Sequence, residues 1–292
     1  MQIGISAVAY DHAVGWQTNL EETTQMHHLS RVESLYPNSQ FKKTLIENNN
    51  HLLSQRNKAF FKWKNEKPHK NAGYVPTLLE HIANIGTHGI FIIPAINCLR
   101  ELIKRSSNEQ KFIAAIVYGG SLFLVVTVST LFHCAHFWFC QGLVKNILHR
   151  CDRAFIYIFI LGTYFPWLYA EVLEPYELFE KIRAGLCVMV ILGILYQQLY
   201  HQKYKALETV FYLITGLMPS IALYGSGLYT DVPELKTGAL MYIVGLVFFK
   251  SDGLIPCAHA IWHAFSVTGA AIHYWAVLEH LYPEPSEFFS QI

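Results

Sequence analysis

The amino-acid sequence predicts an all-α membrane protein, a seven-transmembrane helix bundle with its N-terminus in the cytosol and its C-terminus on the opposite side. Three observations carry this reading. The composition is apolar for a soluble chain, with 52% hydrophobic and 15% charged residues. The apolar residues are gathered after Ile82 into seven long runs separated by short charged links, while residues 1 to about 80 are polar and rich in Asn, Gln, Lys and His. The basic residues fall mainly on one side of the membrane once the runs are threaded through it.

In chain order, residues 1–72 form a polar cytosolic tail and residues 73–292 a membrane domain. The opening MQIGISAVAYDHAVGW has no basic start and no sustained apolar core, so it does not read as a secretory signal. A spanning helix needs about 20 mostly apolar residues, because backbone groups in hydrocarbon must be bonded within the segment. The stretches that qualify run from Ile82 to Leu102, Phe112 to His133, Ala154 to Ala170, Ala184 to Tyr200, Leu207 to Tyr229, Leu235 to Phe249 and Cys257 to Leu281. Pro94, Pro166 and Pro219 lie inside spans and predict kinks.

Orientation follows from Lys and Arg, which are retained on the cytosolic side. The tail holds nine, and threading puts six more beside it against seven on the far side. A net charge of +1, without basic clusters interleaved with aromatic residues, excludes nucleic-acid binding. The six cysteines form no CxxC pair and read as packing residues. The 17 Tyr and 19 Phe read as interfacial belt and core and argue for no cofactor.

Ionisable groups inside spans are costly and mark sites. Near span ends stand Glu80, His88, His133, Asp152, His259 and His263, with Ser129 one turn before His133. Threading gathers His133, Asp152, His259 and His263 near the cytosolic boundary. His259 and His263 are four apart, which puts both imidazoles on one helix face, a spacing that suits two ligands of one ion. Three protein ligands with an open fourth position are the arrangement of a catalytic zinc. Each residue also has an ordinary reading. An interfacial histidine can be an amphipathic anchor, the role expected of His136, His149, His201, His273 and His280. Asp152 alone is a helix N-terminal acid, and Ser129 alone a packing hydroxyl.

Three motifs are similar to those of a known family. Glu80–His88 reads E-x-x-x-N-x-x-x-H through Glu80, Asn84 and His88, Ser129–His133 reads S-x-x-x-H, and His259–His263 reads H-x-x-x-H. Together they resemble the signatures of the progestin and adipoQ receptor family, which takes in the hemolysin III-like proteins and is related to the alkaline ceramidases. Within it, His149–Arg153, Tyr164–Leu168 and Phe248–His263 resemble the monocyte to macrophage differentiation factor branch. The likeness runs from about Gly73 to Ile292. It implies that His133, His259 and His263 bind Zn2+, that Asp152 holds or activates water at the zinc, and that Ser129 hydrogen-bonds beside it. Glu80, Asn84 and His88 are implied to be structural or outer-shell residues.

Two functions follow as expectations. One is a zinc-dependent lipid amide hydrolase, with a membrane lipid such as ceramide or a free fatty acid as partner. The other is a receptor or scaffold that modulates protein kinase signalling through protein partners, with zinc structural. The resemblance also implies a Golgi or endolysosomal membrane. The pair Asp152–Arg153 superficially matches the acidic-Arg pair of G protein-coupled receptors, but it begins a span instead of ending one, and the basic tail opposes an outside N-terminus.

Overall fold

The structure, a computed structural model, describes residues 62–67, 75–138, 142–169, 176–201, 203–225, 227 and 229–284. Most of the predicted tail lies outside these residues, as does Cys140. Among the described residues there are eight helices and no strand: α1 Leu78–Gly89, α2 Ile92–Lys104, α3 Glu109–Trp138, α4 Leu143–Leu168, α5 Tyr176–Leu199, α6 Lys205–Gly225, α7 Pro233–Phe249 and α8 Ala258–Leu281. Each predicted span falls on one helix, except the first, which α1 and α2 share.

That first rod breaks at Ile90–Phe91, where the sequence predicted a continuous span. Pro94 explains the break. It has no N–H to offer the carbonyl of Ile90, and its ring crowds that carbonyl. At Pro166 and Pro219 the helices continue through the proline. The other revision is at α4, which starts at Leu143, well before the predicted Ala154. Lys145, Arg150, Asp152 and Arg153 make its first third too charged to read as a span, yet helix formation does not need lipid. Asp152 therefore sits inside the helix and is not its N-terminal acid.

Among the described residues, three segments are long and apolar enough to cross a membrane by length and composition: Leu78–Lys104, Glu109–Trp138 and Lys205–Gly225. Outward faces are apolar as well. On α5, Val188, Ile191, Leu192 and Leu195 are exposed, and on α6, Val210, Ile214, Met218 and Ile221. Such stripes would be unfavourable in water and are favoured in hydrocarbon.

The helices pack as sequential neighbours, α1 and α2 on α3, α3 on α4, α4 on α5 and α5 on α6, while α8 lies along α7 and returns to α1. Small residues permit close approach. A Cβ at Gly238 would enter the ring of His273, and one at Gly162 would strike Ser121. Two buried clusters result, one around Leu102, Tyr118 and Tyr282, the other around Tyr157, Phe179 and Leu186. Between them lies a cavity of about 1330 Å³ lined from every helix except α5.

A candidate metal centre in the cavity

Helix α3 carries Ser129 and His133 one turn apart, and α8 carries His259 and His263 one turn apart, so two helix faces bring the four groups together; Ser129, His259 and His263 line the cavity, and His133 is buried next to the two α8 rings. The ring centroids of His133 lie 5.2 Å from His259 and 5.0 Å from His263, and those of His259 and His263 are 4.6 Å apart. One nitrogen from each of the three comes within 4.8 Å of the others. His133 is fully buried, and neither of its ring nitrogens has a hydrogen-bond partner. A buried polar group left this way costs about 1–3 kcal/mol, so it signals a missing partner.

A metal ion fits that role. Two nitrogens each about 2 Å from a tetrahedral ion lie about 3.3 Å apart, which leaves up to about 1.5 Å for side-chain rotation to take up. The donors are all imidazoles, which suit zinc, copper, iron or nickel by donor type. Asp152, on α4, accepts a hydrogen bond from the Ser129 hydroxyl and lines the same cavity.

The orientation of His263 comes from α1. The Thr87 hydroxyl lies 2.8 Å from the carbonyl of Ala83 and 3.2 Å from that of Asn84, so its proton is used there. Its oxygen is 3.0 Å from His263 Nδ1 and can only accept. This assigns the Nδ1–H tautomer and leaves the Nε2 lone pair for a ligand. His88 stacks on the other side of the ring, with centroids 3.8 Å apart and planes 18° apart.

Glu80 serves the frame. Its carboxylate accepts the Thr77 N–H at 2.9 Å while its own N–H donates to the Thr77 hydroxyl at 3.4 Å, a reciprocal capping box that starts α1. The other carboxylate oxygen accepts the N–H of Cys257 at 3.2 Å. Cys257 is the N-cap of α8, at φ 55°. One side chain thus closes the first turn of α1 and fixes the start of the helix that bears His259 and His263. Asn84 is fully buried, and its carbonyl meets the His263 imidazole.

Two groups at the site escaped the sequence reading. Thr87 was adjacent to His88 inside a recognised motif, but a threonine in a helix has no pattern that reveals its partner. Asp252, in the α7–α8 loop, places Oδ2 4.0 Å from His259 Nδ1. Burial first, and then the Glu80 carboxylate, push its carboxyl up to about 7. Nor are all the expected anchor histidines solitary. His201 Nε2 lies 3.3 Å from His149 Nδ1, His201 Nδ1 lies 3.0 Å from Gln197, and His136 is buried. His273 bonds the Leu235 carbonyl at 3.2 Å, and His280 lies 3.7 Å from Glu234. The five described cysteines are unbridged.

The sequence profile described as Haemolysin-III related matches residues 77–274, a range that holds all three motifs. The chain belongs to the Haemolysin-III related family. It is 40% identical over 235 residues to the human monocyte to macrophage differentiation factor, covering 80% of this chain and 98% of the human protein. The rat protein of that name matches equally. Hemolysin-3 of Bacillus cereus is 33% identical over 215 residues, 71% of this chain and 94% of the bacterial one. Membership in the Haemolysin-III related family, of the progestin and adipoQ receptor type, makes this a membrane protein, in agreement with its apolar helices. The buried histidines therefore belong to the helical bundle of a membrane protein, and the orphaned nitrogens of His133 call for a partner.

Proposed function

We propose that the protein crosses the membrane seven times with its N-terminus in the cytosol, holds zinc through His133, His259 and His263 near the cytosolic leaflet, and hydrolyses a lipid amide of ceramide type. The observation that carries this is the convergence of three imidazoles, one with both nitrogens orphaned, beside a carboxyl in a large apolar cavity. Zinc bound there supplies Lewis-acid polarisation of a carbonyl and acidifies water.

The residues of the chain do the rest. Asp152 accepts a proton from the attacking water and returns it to the leaving nitrogen as the amide C–N bond breaks, releasing a fatty acid and an amine. Ser129 holds the carboxyl in place by its hydrogen bond. Ile221 on α6 and Ile243 on α7 both line the cavity and are exposed, which supports entry of acyl chains between these helices.

Elemental analysis of purified wild type beside the His133→Ala, His259→Ala double variant is the first test. About one zinc per chain in the wild type, lost in the double variant, is expected. Release of fatty acid from ceramide by the wild type, abolished in Asp152→Asn with zinc retained, completes it. Zinc in wild type without turnover of any ceramide would overturn the hydrolase reading.

A second reading has its own observation. α8 packs chiefly on α7 and α1, so an ion shared by His133 and the α8 pair would tie α3 to α8 as a structural clamp. In that case the protein is a receptor or scaffold on a Golgi or endolysosomal membrane that modulates kinase signalling. A cellular effect that survives Asp152→Asn with zinc retained favours it.

A further inference from the structure

The end of the cavity away from the histidines carries a strained tyrosine. On α4 the lining continues from Asp152 through Ile156, Phe159 and Ile160 to Trp167. Trp167 is fifteen residues beyond Asp152, which places it about 22 Å further along the helix.

Tyr229, in the α6–α7 link, lines the cavity beside Trp167. The two rings meet edge to face with centroids 4.9 Å apart, and the Tyr229 hydroxyl donates to the Trp167 carbonyl at 2.7 Å. That carbonyl lies in the last turn of α4, where helix carbonyls lack a partner within the helix. Tyr229 also packs against both buried clusters, so it bridges the two halves of the core where the cavity between them ends.

The backbone works against this placement. Tyr229 has φ 57°, in the left-handed region. Among the described non-glycine residues only Cys257 shares that property, and Cys257 is accounted for as the N-cap of α8, held by Glu80. A bulky side chain stays at positive φ only where its surroundings fix it, and such residues gather at ligand sites. A link that merely joined α6 to α7 would be better served by glycine, as at Gly227 two residues earlier, where φ is 77°.

We propose that Tyr229 is the stop at the end of an acyl-chain channel and sets the longest chain the site accepts. A carbonyl beside Asp152 would send its chain along Ile156, Phe159 and Ile160 and bring the terminal methyl against the rings of Tyr229 and Trp167. The available length of about 22 Å matches an extended stearoyl chain. Tyr229 determines specificity and takes no part in the chemistry. The inference rests on the reading of the cavity as a lipid site, and it is independent of turnover.

The test uses the full chain in a non-ionic detergent with two single-chain probes, stearic acid and lignoceric acid, the second longer by six methylenes. Affinity is read from the rise in melting temperature over a concentration series, and bound lipid is counted by native mass spectrometry. The wild type should bind stearic acid about tenfold or more tightly than lignoceric acid, the scale on which an apolar pocket rejects excess length. Tyr229→Gly, which also suits the positive φ, should bring lignoceric acid to within about twofold of stearic acid and leave stearic acid unchanged. Tyr229→Ala, no more strained than tyrosine at this φ, carries the same test if the glycine variant does not fold.

Equal binding of the two acids by the wild type would overturn the stop while the lipid cavity stands. Discrimination kept in the variants would place the limit elsewhere and overturn the role of Tyr229. Weakening of both acids alike in the variants would reduce Tyr229 to a structural contact. Failure of the wild type to bind either acid would remove the lipid reading of the cavity itself.

Discussion

The Thr87 hydroxyl oxygen lies 3.0 Å from Nδ1 of His263, and its proton is committed to carbonyls of its own helix. A group on α1 thereby sets the tautomer of a candidate ligand on α8. Removing the acceptor while keeping the shape, as in Thr87→Val, should lower zinc affinity about 10- to 100-fold, the usual effect of losing a partner behind a ligand histidine. Thr87→Ser should restore most of it. Competition with a chelating dye measures both, and equal affinity in Thr87→Val would show that the hydroxyl does not orient the ring.

Glu80 joins the first turn of α1 to the N-cap of α8. Glu80→Ala loses the cap and leaves the Cys257 N–H without its acceptor, a cost of about 2 kcal/mol. Thermal unfolding in detergent should show it. Because the start of α8 carries His259, zinc retention should fall in parallel, which a purely local capping loss would not produce.

The pair Arg153–Glu208 is nearly buried, with side-chain exposures of 14% and 7%, and Tyr212 donates to Glu208 at 3.2 Å. Breaking one partner of such a pair is costly because the other charge is stranded. Glu208→Ala should destabilise the protein by about 3 kcal/mol. Adding Arg153→Met should recover part of that loss, and no recovery would mean that the carboxylate contributes through Tyr212 instead.

His201 lies in the α5–α6 link, where burial first, then Arg153, Arg150 and Lys205, lower its pKa from 6.5 to about 4. The folded state therefore binds fewer protons than the unfolded state between those values. Stability from this group is complete above about pH 6.5 and is lost as the pH falls toward 4. The difference in melting temperature between wild type and His201→Gln should shift against the wild type over that window and stay flat above it. A difference independent of pH would exclude His201 from the acid sensitivity.

Gly253 sits at φ +77°, and a Cβ there would lie 2.5 Å from the backbone nitrogen of Lys67. Left-handed strain alone costs about 1–2 kcal/mol for a residue with a Cβ. Gly253→Ala should therefore destabilise by about 2 kcal/mol or more and loosen residues 63–67. Hydrogen exchange at Gly253, whose N–H is held by Asn65, reads the loosening directly. Protection equal to wild type would show that the segment accommodates the methyl group.

By itself the sequence determined the helical class, the apolar runs on which the described helices fall and the three motifs that place the chain in its family. These are legible because apolar run length and i, i+4 spacing are local properties. The pairing of His259 with His263 could be read from one helix, and the addition of His133 came from threading and from the family resemblance. Tertiary structure alone decided what those residues do to one another. Glu80 became the brace between α1 and α8, Thr87 the partner of His263, and Asp252 a neighbour of His259. The break at Ile90–Phe91 and the early start of α4 also needed the structure, since a hydropathy scale registers charge and not helix continuity. Each missed relationship joins residues more than a hundred positions apart, or across a loop, through a single hydrogen bond or ion pair. No periodicity encodes such a contact, because it depends on how the helices cross and not on how any one of them is written.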